Sequence, residues 1–282
     1  MIDNLALDEL IDRALAEDWG TGDITTLCTV AAGREISGRF LAKEAGVVCG
    51  LSVVERVFRK LDATVVFAPQ TRDGQAVEKG TVLAHISGDA RAILVGERTA
   101  LNFLQRLSGI ATRTAHAVAA VAGTHARITD TRKTTPGLRV LEKYAVRCGG
   151  GSNHRFNLSD GVLIKDNHIA AAGGITAAVR AARAQAPHTL KIEVEVEDFA
   201  MLDEALAAGA DIIMLDNMDL ETMAQAVARV AGRALVEASG NMGDKDESAL
   251  RSVAETGVDL ISIGALTHTV KAMDISLRFD KV

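Results

Sequence analysis

Residues 190–216 read LKIEVEVEDFAMLDEALAAGADIIMLD, which is a β-rich run, a helical segment and a second β-rich run. The same alternation continues over most of the C-terminal half. Its β-rich runs are ARITD (126–130), GVLIK (161–165), LKIEVEV (190–196), DIIMLD (211–216), ALVEAS (234–239) and DLISIG (259–264). Strands that alternate with helices form parallel sheets, so we expect an α/β fold whose six strands form an incomplete, TIM-like barrel. An open doubly wound sheet is the alternative, although no GxGxxG motif follows a strand here.

The first hundred residues have a different organisation. Apolar residues at helical spacing predict an amphipathic helix over 5–18, and alternating β-rich runs then surround a second helix over 51–62. A long helical pattern follows from Ala90 to Ala122. We therefore predict a small α+β domain over 1–110 and a barrel domain over 111–270. The tail, 271–282, alternates again and is expected to return to the first domain as a strand.

Composition excludes several classes of protein. The chain has 282 residues, 48% of them hydrophobic, with a formal net charge of -6 and only seven Phe, one Trp and one Tyr. Nucleic acid is therefore not an expected partner. The acidic start and the lack of long apolar runs predict no export signal and no membrane partner, hence a cytoplasmic protein. Three cysteines, widely separated in sequence, predict reduced thiols and no disulfide framework.

Positive charge is concentrated between Thr131 and Lys165 of this acidic chain. That stretch holds seven Lys and Arg residues, one His and two carboxylates. Such a block repels itself unless it is spread along a solvated helix or holds anions. The glycines at 149–151 argue against one continuous helix, which leaves anion binding as the stronger hypothesis.

Chemically useful residues recur where the predicted strands end. Arg132 and Lys133 follow the first run, Lys165 ends the second, Glu195 lies near the end of the third and Asp216 ends the fourth. Barrel strands share one rim at their carboxyl ends, so these residues are expected to meet there. Glu193, Glu195 and Glu197 share one strand face. They predict either an ion-pair network or, for Glu195 with Asp216, a Mg²⁺ site.

Two glycine turns end the last two strands, at Ser239-Gly240-Asn241 and at Gly264-Ala265. Turns at these positions expose backbone N–H groups that can hold a phosphate, and adjacent strands would bring the two turns together. On the long helix, Arg98, Asn102 and Gln105 share one face, for which a solvated surface is the simplest interpretation. His154 and His268 lack the spacing of a metal pair.

Several motifs, taken in order, resemble one known family. They are TRKTTPGLR (131–139), EKYAVRCGGGSNHRFNLSDGVLIKDNHI (142–169), EVEVE (193–197), IMLDN (213–217), EASG (237–240) and GALTH (264–268). Over nearly its whole length the chain resembles the quinolinate phosphoribosyltransferase family. The resemblance implies an N-terminal α/β sandwich domain, an incomplete barrel and a homodimer with shared sites. It also implies a pentosyltransferase of NAD biosynthesis that converts quinolinate and phosphoribosyl pyrophosphate to nicotinate mononucleotide, pyrophosphate and CO2.

The resemblance also implies roles for individual residues. The pocket for quinolinate would comprise Thr131, Arg132, Lys133, His154, Arg155 and Lys165, with Arg98 donated by the other subunit. Glu195 and Asp216 would hold Mg²⁺ and the ribose hydroxyls, and Lys133, Glu195 and Asp216 would be the catalytic residues. The residues placed like the loops around the 5-phosphate are Ser239, Gly240, Asn241, Ile263, Gly264, Ala265 and His268.

Three other functions remain open at this stage. A barrel aldolase could use Lys133 or Lys165 as a Schiff base. A related phosphoribosyltransferase could act on another pyridine acid, such as nicotinate, within much the same framework. A non-catalytic protein could bind phosphoribosyl pyrophosphate for regulation. The proton donor that follows decarboxylation is left unassigned.

Overall fold

The computed structural model describes residues 5–280, which fall into two compact units. The first comprises residues 5–115, 135–150 and 269–280, and the second comprises 116–134 and 151–268. The sequence-based division had assigned all of 111–270 to the barrel domain. Residues 135–150 instead belong to the first unit, where Glu142 pairs with Arg106 and Tyr144 donates a hydrogen bond to Asp73.

The first unit combines helices with an antiparallel sheet. Its helices are α1 (Leu5–Trp19), α2 (Ile24–Thr29), α3 (Leu51–Leu61), α4 (Ala90–Ala120, of which residues up to 115 belong here) and α5 (Arg139–Cys148). Its strands are β1 (Glu35–Ala42), β2 (Gly46–Val47), β3 (Val66–Pro69), β4 (Ala76–Val77), β5 (Val82–Asp89) and β12 (Ile275–Phe279). The order in the main sheet is β12-β1-β5-β3, and β2 pairs with β4 separately. The helix predicted over 5–18 therefore corresponds to α1.

The C-terminal strand is held by pairing and by close packing. β12 runs antiparallel to β1, with Ile275 and Leu277 buried, as the alternation in the tail predicts. The chain that leads into β12 passes very close to α4 at Gly109. A Cβ at Gly109 would lie 2.2 Å from the carbonyl oxygen of Lys271, so only glycine fits at this point of the helix.

The second unit contains a six-stranded, wholly parallel sheet. Its strands are β6 (Arg127–Thr129), β7 (Val162–Ile164), β8 (Ile192–Val196), β9 (Ile212–Asp216), β10 (Leu235–Ser239) and β11 (Leu260–Ser262). Its helices are α6 (Asp166–Ala172), α7 (Ile175–Gln185), α8 (Phe199–Ala208), α9 (Leu220–Val230), α10 (Glu247–Glu255) and α11 (Ala265–His268), with a 3-10 turn over Met242–Asp244. All six β-rich runs of the sequence are therefore strands.

Strand order decides between a barrel and an open sheet. The order is β6-β11-β10-β9-β8-β7, so the first strand of the unit lies beside the last. A doubly wound sheet would reverse its order near the middle, whereas this cyclic order is that of a barrel. Within residues 5–280 no ladder joins β6 to β7, and a single parallel bridge between Thr129 and Ser152 lies at the opening. The unit is an incomplete α/β barrel, as predicted.

One expectation about side chains in the first unit was wrong. Gln105 is not part of a solvated face, because its Nε2 donates to the carbonyl oxygen of Ile275 at 2.7 Å, whereas Arg98 and Asn102 are exposed. Cys28, Cys49 and Cys148 are free thiols, as the sequence predicts. Burial raises the pKa of Cys49. Separately, none of the helices in the described range is long and apolar enough to span a bilayer.

Candidate active site

The carboxyl ends of the barrel strands surround a cavity of about 450 Å³. Most of the residues selected from the sequence contribute to its wall: Thr131, Arg132, Lys133, His154, Arg155, Lys165, Glu195, Asp216, Ser239, Gly240 and Asn241. These residues come from six separate segments of the chain. They meet because every parallel strand ends at the same rim.

Arg155 lines this cavity, and one N–H of its guanidinium is buried without an acceptor in the described range. Its Nη1 donates to the carbonyl oxygen of Gly161 at 3.0 Å, but its Nε is buried without a hydrogen-bond partner among the described residues. Burial lowers the pKa of Arg155, the charge of Arg132 lowers it further, and Glu193 opposes both effects. A buried N–H without an acceptor is costly. The arrangement is therefore suited to an anion, with the arginine fork matching a carboxylate.

The remaining cations of the 131–165 block divide between the two units. Lys133 and Lys165 line the cavity, whereas Arg139, Lys143 and Arg147 lie on α5 in the first unit. The 131–165 block thus lies partly on the cavity wall and partly on α5.

The two carboxylates predicted to bind a metal end neighbouring strands. Glu195 on β8 forms an ion pair with Lys165, and Asp216 on β9 accepts a hydrogen bond of 2.8 Å from the side chain of Asn217. Both line the cavity, and β8 and β9 pair directly. Hard oxygen ligands that are half-buried at a rim suit Mg²⁺, which keeps several waters.

The turn after β10 is tightly constrained. Gly240 and Asn241 both have positive φ, 88° and 50°, as does Asn217 at 54°. A Cβ at Gly240 would lie 2.2 Å from Oδ1 of Asn217, and that same oxygen accepts a hydrogen bond from Asn241. Strained backbone of this kind persists where neighbouring contacts enforce it, often at ligand sites.

The turn after β11 lies beside the first one, because β10 and β11 pair. A Cβ at Gly264 would lie 2.9 Å from Cδ of Lys133 and 3.2 Å from His268, so this turn packs against the lysine. Thr267 also donates to the carbonyl oxygen of Lys133 at 2.8 Å. Ile263 and Ala265 are buried, and the amide of Ile263 already donates to Thr129. His268 is exposed.

A buried acidic pair lies beneath the cavity. Nε2 of His154 is 3.2 Å from Glu193 and 3.7 Å from Glu237. Glu237 is fully buried, and neither of its carboxyl oxygens has a hydrogen-bond partner among the described residues. Burial, followed by the charge of Glu193, raises the pKa of Glu237 to about 7. These three residues also border a second cavity, of about 540 Å³, at the opposite strand ends.

Sequence reasoning missed five residues that line this cavity: Leu163, Met214, Asn217, Glu237 and Ser262. Glu237 was present in the run ALVEAS, two residues before Ser239, so period 2 places both on the same strand face. Asn217 directly follows Asp216. Conversely, Arg98 lies on α4 in the first unit and is exposed.

Comparisons with known proteins agree with this architecture. Residues 23–108 match the family model described as "Quinolinate phosphoribosyl transferase, N-terminal domain", and residues 110–278 match the corresponding C-terminal domain. The chain belongs to the quinolinate phosphoribosyltransferase family. The resemblance that the sequence motifs indicate is therefore confirmed.

Known relatives match this chain over nearly its full length. It is 45% identical over 276 residues to the "Probable nicotinate-nucleotide pyrophosphorylase (carboxylating)" of Bacillus subtilis strain 168, covering 98% of this chain and 94% of the relative. NadC of Streptococcus pyogenes is similar in structure, with TM-score 0.93, 46% identity, and 99% and 97% coverage. So is the nicotinate-nucleotide pyrophosphorylase of Francisella tularensis, with TM-score 0.94, 40% identity, and 99% and 98% coverage.

Proposed function

We propose that the 450 Å³ cavity at the barrel rim is where this chain performs its family's reaction. The chain transfers the phosphoribosyl group of phosphoribosyl pyrophosphate to the nitrogen of quinolinate, with decarboxylation. The products are nicotinate mononucleotide, pyrophosphate and CO2, in a step of de novo NAD biosynthesis. The observation that supports this location best is that Arg132, Lys133, Arg155 and Lys165 all line this one cavity.

Quinolinate is a small pyridine that carries two carboxylates, so it needs converging cations. Arg132, Lys133, Arg155 and Lys165 supply them in the proposal, with Thr131 and His154 completing the pocket. Arginine binds a carboxylate through two parallel hydrogen bonds, whereas lysine provides a point charge.

Glu195 and Asp216 would hold Mg²⁺ together with the ribose hydroxyls of phosphoribosyl pyrophosphate. Their oxygen atoms fit this ion, and both lie on the wall of the cavity. When bound, Mg²⁺ neutralises charge on the pyrophosphate as that group departs. The Lys165–Glu195 ion pair would then break. The lysine would pair with a substrate carboxylate instead, and Glu195 would pair with the ion.

The two neighbouring glycine turns would hold the 5-phosphate. Ser239, Gly240 and Asn241 form one side, and Gly264 forms the other, with Ile263, Ala265 and His268 around it. Backbone N–H groups in such turns favour an anion without needing a cationic side chain. Ile263 would contribute through packing, since its amide is already paired with Thr129.

The residues mainly position and neutralise the reactants. Cations around the departing pyrophosphate favour positive charge at the anomeric carbon, which the pyridine nitrogen then attacks. The alkylated nitrogen is cationic, so it stabilises the electron pair left on the adjacent ring carbon when the carboxylate departs as CO2, and that carbon then takes up a proton. In the proposal, Lys133 is the cation at the reacting groups, and no covalent nucleophile is required.

One assay tests the function directly. Purified protein is mixed with phosphoribosyl pyrophosphate and Mg²⁺, and quinolinate loss is compared with nicotinate loss. We expect nicotinate mononucleotide from quinolinate alone, and no turnover when Mg²⁺ is chelated. Turnover of nicotinate in place of quinolinate would indicate a different pyridine acid. Borohydride trapping of a carbonyl compound on Lys133 or Lys165 would indicate a Schiff-base enzyme.

A homodimer with Arg98 contributed across the interface is a further part of the proposal. It is supported by the exposure of Arg98 on α4. Arg98→Ala and Lys133→Ala proteins should each be inactive, and mixing them should restore activity in dimers with one intact site. No recovery after proven subunit exchange would contradict sharing.

The cytoplasmic location also stays a prediction. Plant relatives are named chloroplastic or mitochondrial, so location varies within the family. Fractionation of cells that express the chain, followed by immunoblotting, tests it.

A further inference from the structure

Both ring nitrogens of His154 are engaged by the protein. The backbone N–H of Arg155 donates to Nδ1 at 2.8 Å. A backbone amide can only donate, so Nδ1 must present a lone pair and carries no proton. On the other side of the ring, Nε2 lies 3.2 Å from Oε2 of Glu193. The proton therefore resides on Nε2, which donates to Glu193, and the ring is neutral.

This tautomer argues against a metal at the same place. His154, Glu193 and Glu237 each place a possible ligand atom within 4.8 Å of the others, which is metal-like spacing. A cation at Nε2 would need a lone pair there, which would move the proton to Nδ1. That proton would then face the N–H of Arg155. The cluster is consequently better explained as a hydrogen-bonded support for the histidine.

The support continues into the loop that carries Arg155. Asp130 is fully buried and accepts hydrogen bonds from the side chain of Asn153 at 2.6 Å and from the amide of His154 at 2.9 Å. His154 in turn accepts from the amide of Arg155. Glu193 and Asp130 thus hold this loop at two points. The loop backbone in turn sets the position from which the side chain of Arg155 extends.

We infer that Glu193 is a positioning residue for the pyridine pocket: it locks His154 as the neutral Nε2–H tautomer and, through that ring, fixes the backbone of Arg155. The inference rests on the proposed function of the cavity. His154 then presents only ring carbons to the substrate. It neither donates a hydrogen bond to a carboxylate nor supplies the proton that replaces the departing CO2.

Nitrogen-15 NMR of histidine-labelled full-length protein tests the tautomer without any activity measurement. At neutral pH we expect a protonated Nε2 and an unprotonated Nδ1 for His154, assigned from the signals lost in His154→Gln. His168 is an internal reference, because its Nδ1 also accepts a backbone N–H, from Lys165 at 3.0 Å. A proton on Nδ1 of His154, or on both nitrogens, would overturn the inference.

Kinetics test the positioning role. Glu193→Ala should raise KM for quinolinate about tenfold or more, leave KM for phosphoribosyl pyrophosphate unchanged, and alter the His154 signals. Glu193→Gln keeps an oxygen that accepts the same N–H, so it should restore most of the affinity and the wild-type tautomer. Glu197→Ala is the matched control, since Glu197 is exposed just past the end of β8 and should change neither readout.

The outcomes separate the two proposals. Unchanged His154 signals and an unchanged KM for quinolinate in Glu193→Ala would refute the positioning role. If Glu193→Ala does not fold, the wild-type and Glu193→Gln spectra still decide the tautomer. A wild-type protein that shows the expected tautomer but does not consume quinolinate would contradict the proposed function instead.

Discussion

Two arginines differ in how completely the fold satisfies their hydrogen-bond donors. Arg106, in the first unit, donates through Nε and Nη2 to Glu142 at 3.0 and 2.6 Å, and to the hydroxyl of Thr135 at 2.6 Å. Arg155, in the barrel unit, leaves its buried Nε without an acceptor among the described residues. The charge of Arg106 is neutralised within the fold, whereas we propose that the charge of Arg155 is neutralised by the substrate. Sequence alone gives both the same residue type.

The largest expected effect comes from removing the unused cation. Arg155→Ala should lower kcat/KM for quinolinate by about a thousandfold or more, because truncating a buried, hydrogen-bonded charge costs several kcal/mol of binding. Its free energy of unfolding should fall by no more than about 1 kcal/mol, because the fold loses only the Nη1 bond to Gly161. Steady-state kinetics and urea unfolding measure both quantities.

Arg180→Ala, an exposed arginine on α7, is the matched control and should change neither quantity. Lys165→Ala should resemble Arg155→Ala. Near-normal turnover in both Arg155→Ala and Lys165→Ala would show that the pocket is assigned wrongly.

Arg106→Ala should show the opposite pattern, with a loss of stability. It leaves the fully buried Glu142 without its cation, which typically costs about 3 kcal/mol. Chemical denaturation of the full chain measures this. Replacing both residues, as Arg106→Met with Glu142→Leu, should recover part of the loss. If the double variant is no more stable than Arg106→Ala, the buried pair is not the cause.

Glu237 is the acidic counterpart of Arg155, because its buried carboxyl oxygens also lack hydrogen-bond partners among the described residues. Its pKa is about 7 in the folded chain, against 4.5 for the ordinary side chain, so folding favours the protonated form. This contribution to stability is fully present below pH 4.5, declines as pH rises from about 4.5 to 7, and is lost above that. The total is on the order of 3 kcal/mol.

Glu237→Gln cannot ionise, so it should lack this decline. The measurement is the free energy of unfolding at several pH values for both proteins. The difference between them should change over the stated range and be flat outside it. A constant difference from pH 4 to 8 would contradict a raised pKa.

The smallest effect belongs to an exposed ion pair. Arg229 pairs with Asp203, and its guanidinium lies 5.5 Å from the ring centre of Phe199, but both charged side chains are about half exposed. Exposed pairs contribute little. Arg229→Ala should therefore cost less than about 1 kcal/mol of stability, measured by urea unfolding in low salt. A loss as large as that of Arg106→Ala would remove the distinction between buried and exposed pairs.

Much of the architecture could be predicted because its signals are local. The six β-rich runs became β6 to β11, and parallel strands necessarily end at one rim, so Lys165, Glu195 and Asp216 were correctly expected to meet. Elsewhere, tertiary contacts override what the local sequence pattern predicts. Gln105 has the spacing of a solvated helix face but reaches the carbonyl of Ile275, a residue 170 positions away.

The sequence by itself determined the strand and helix periods, the barrel class and the types of charge available at the rim. Only the tertiary structure decided which buried N–H groups lack an acceptor and that α5 belongs to the first unit. It also decided that the two ring nitrogens of His154 contact Arg155 and Glu193. The reason is physical. Periodicity depends on neighbours a few residues apart, whereas burial and hydrogen-bond satisfaction depend on groups that only the folded chain brings together.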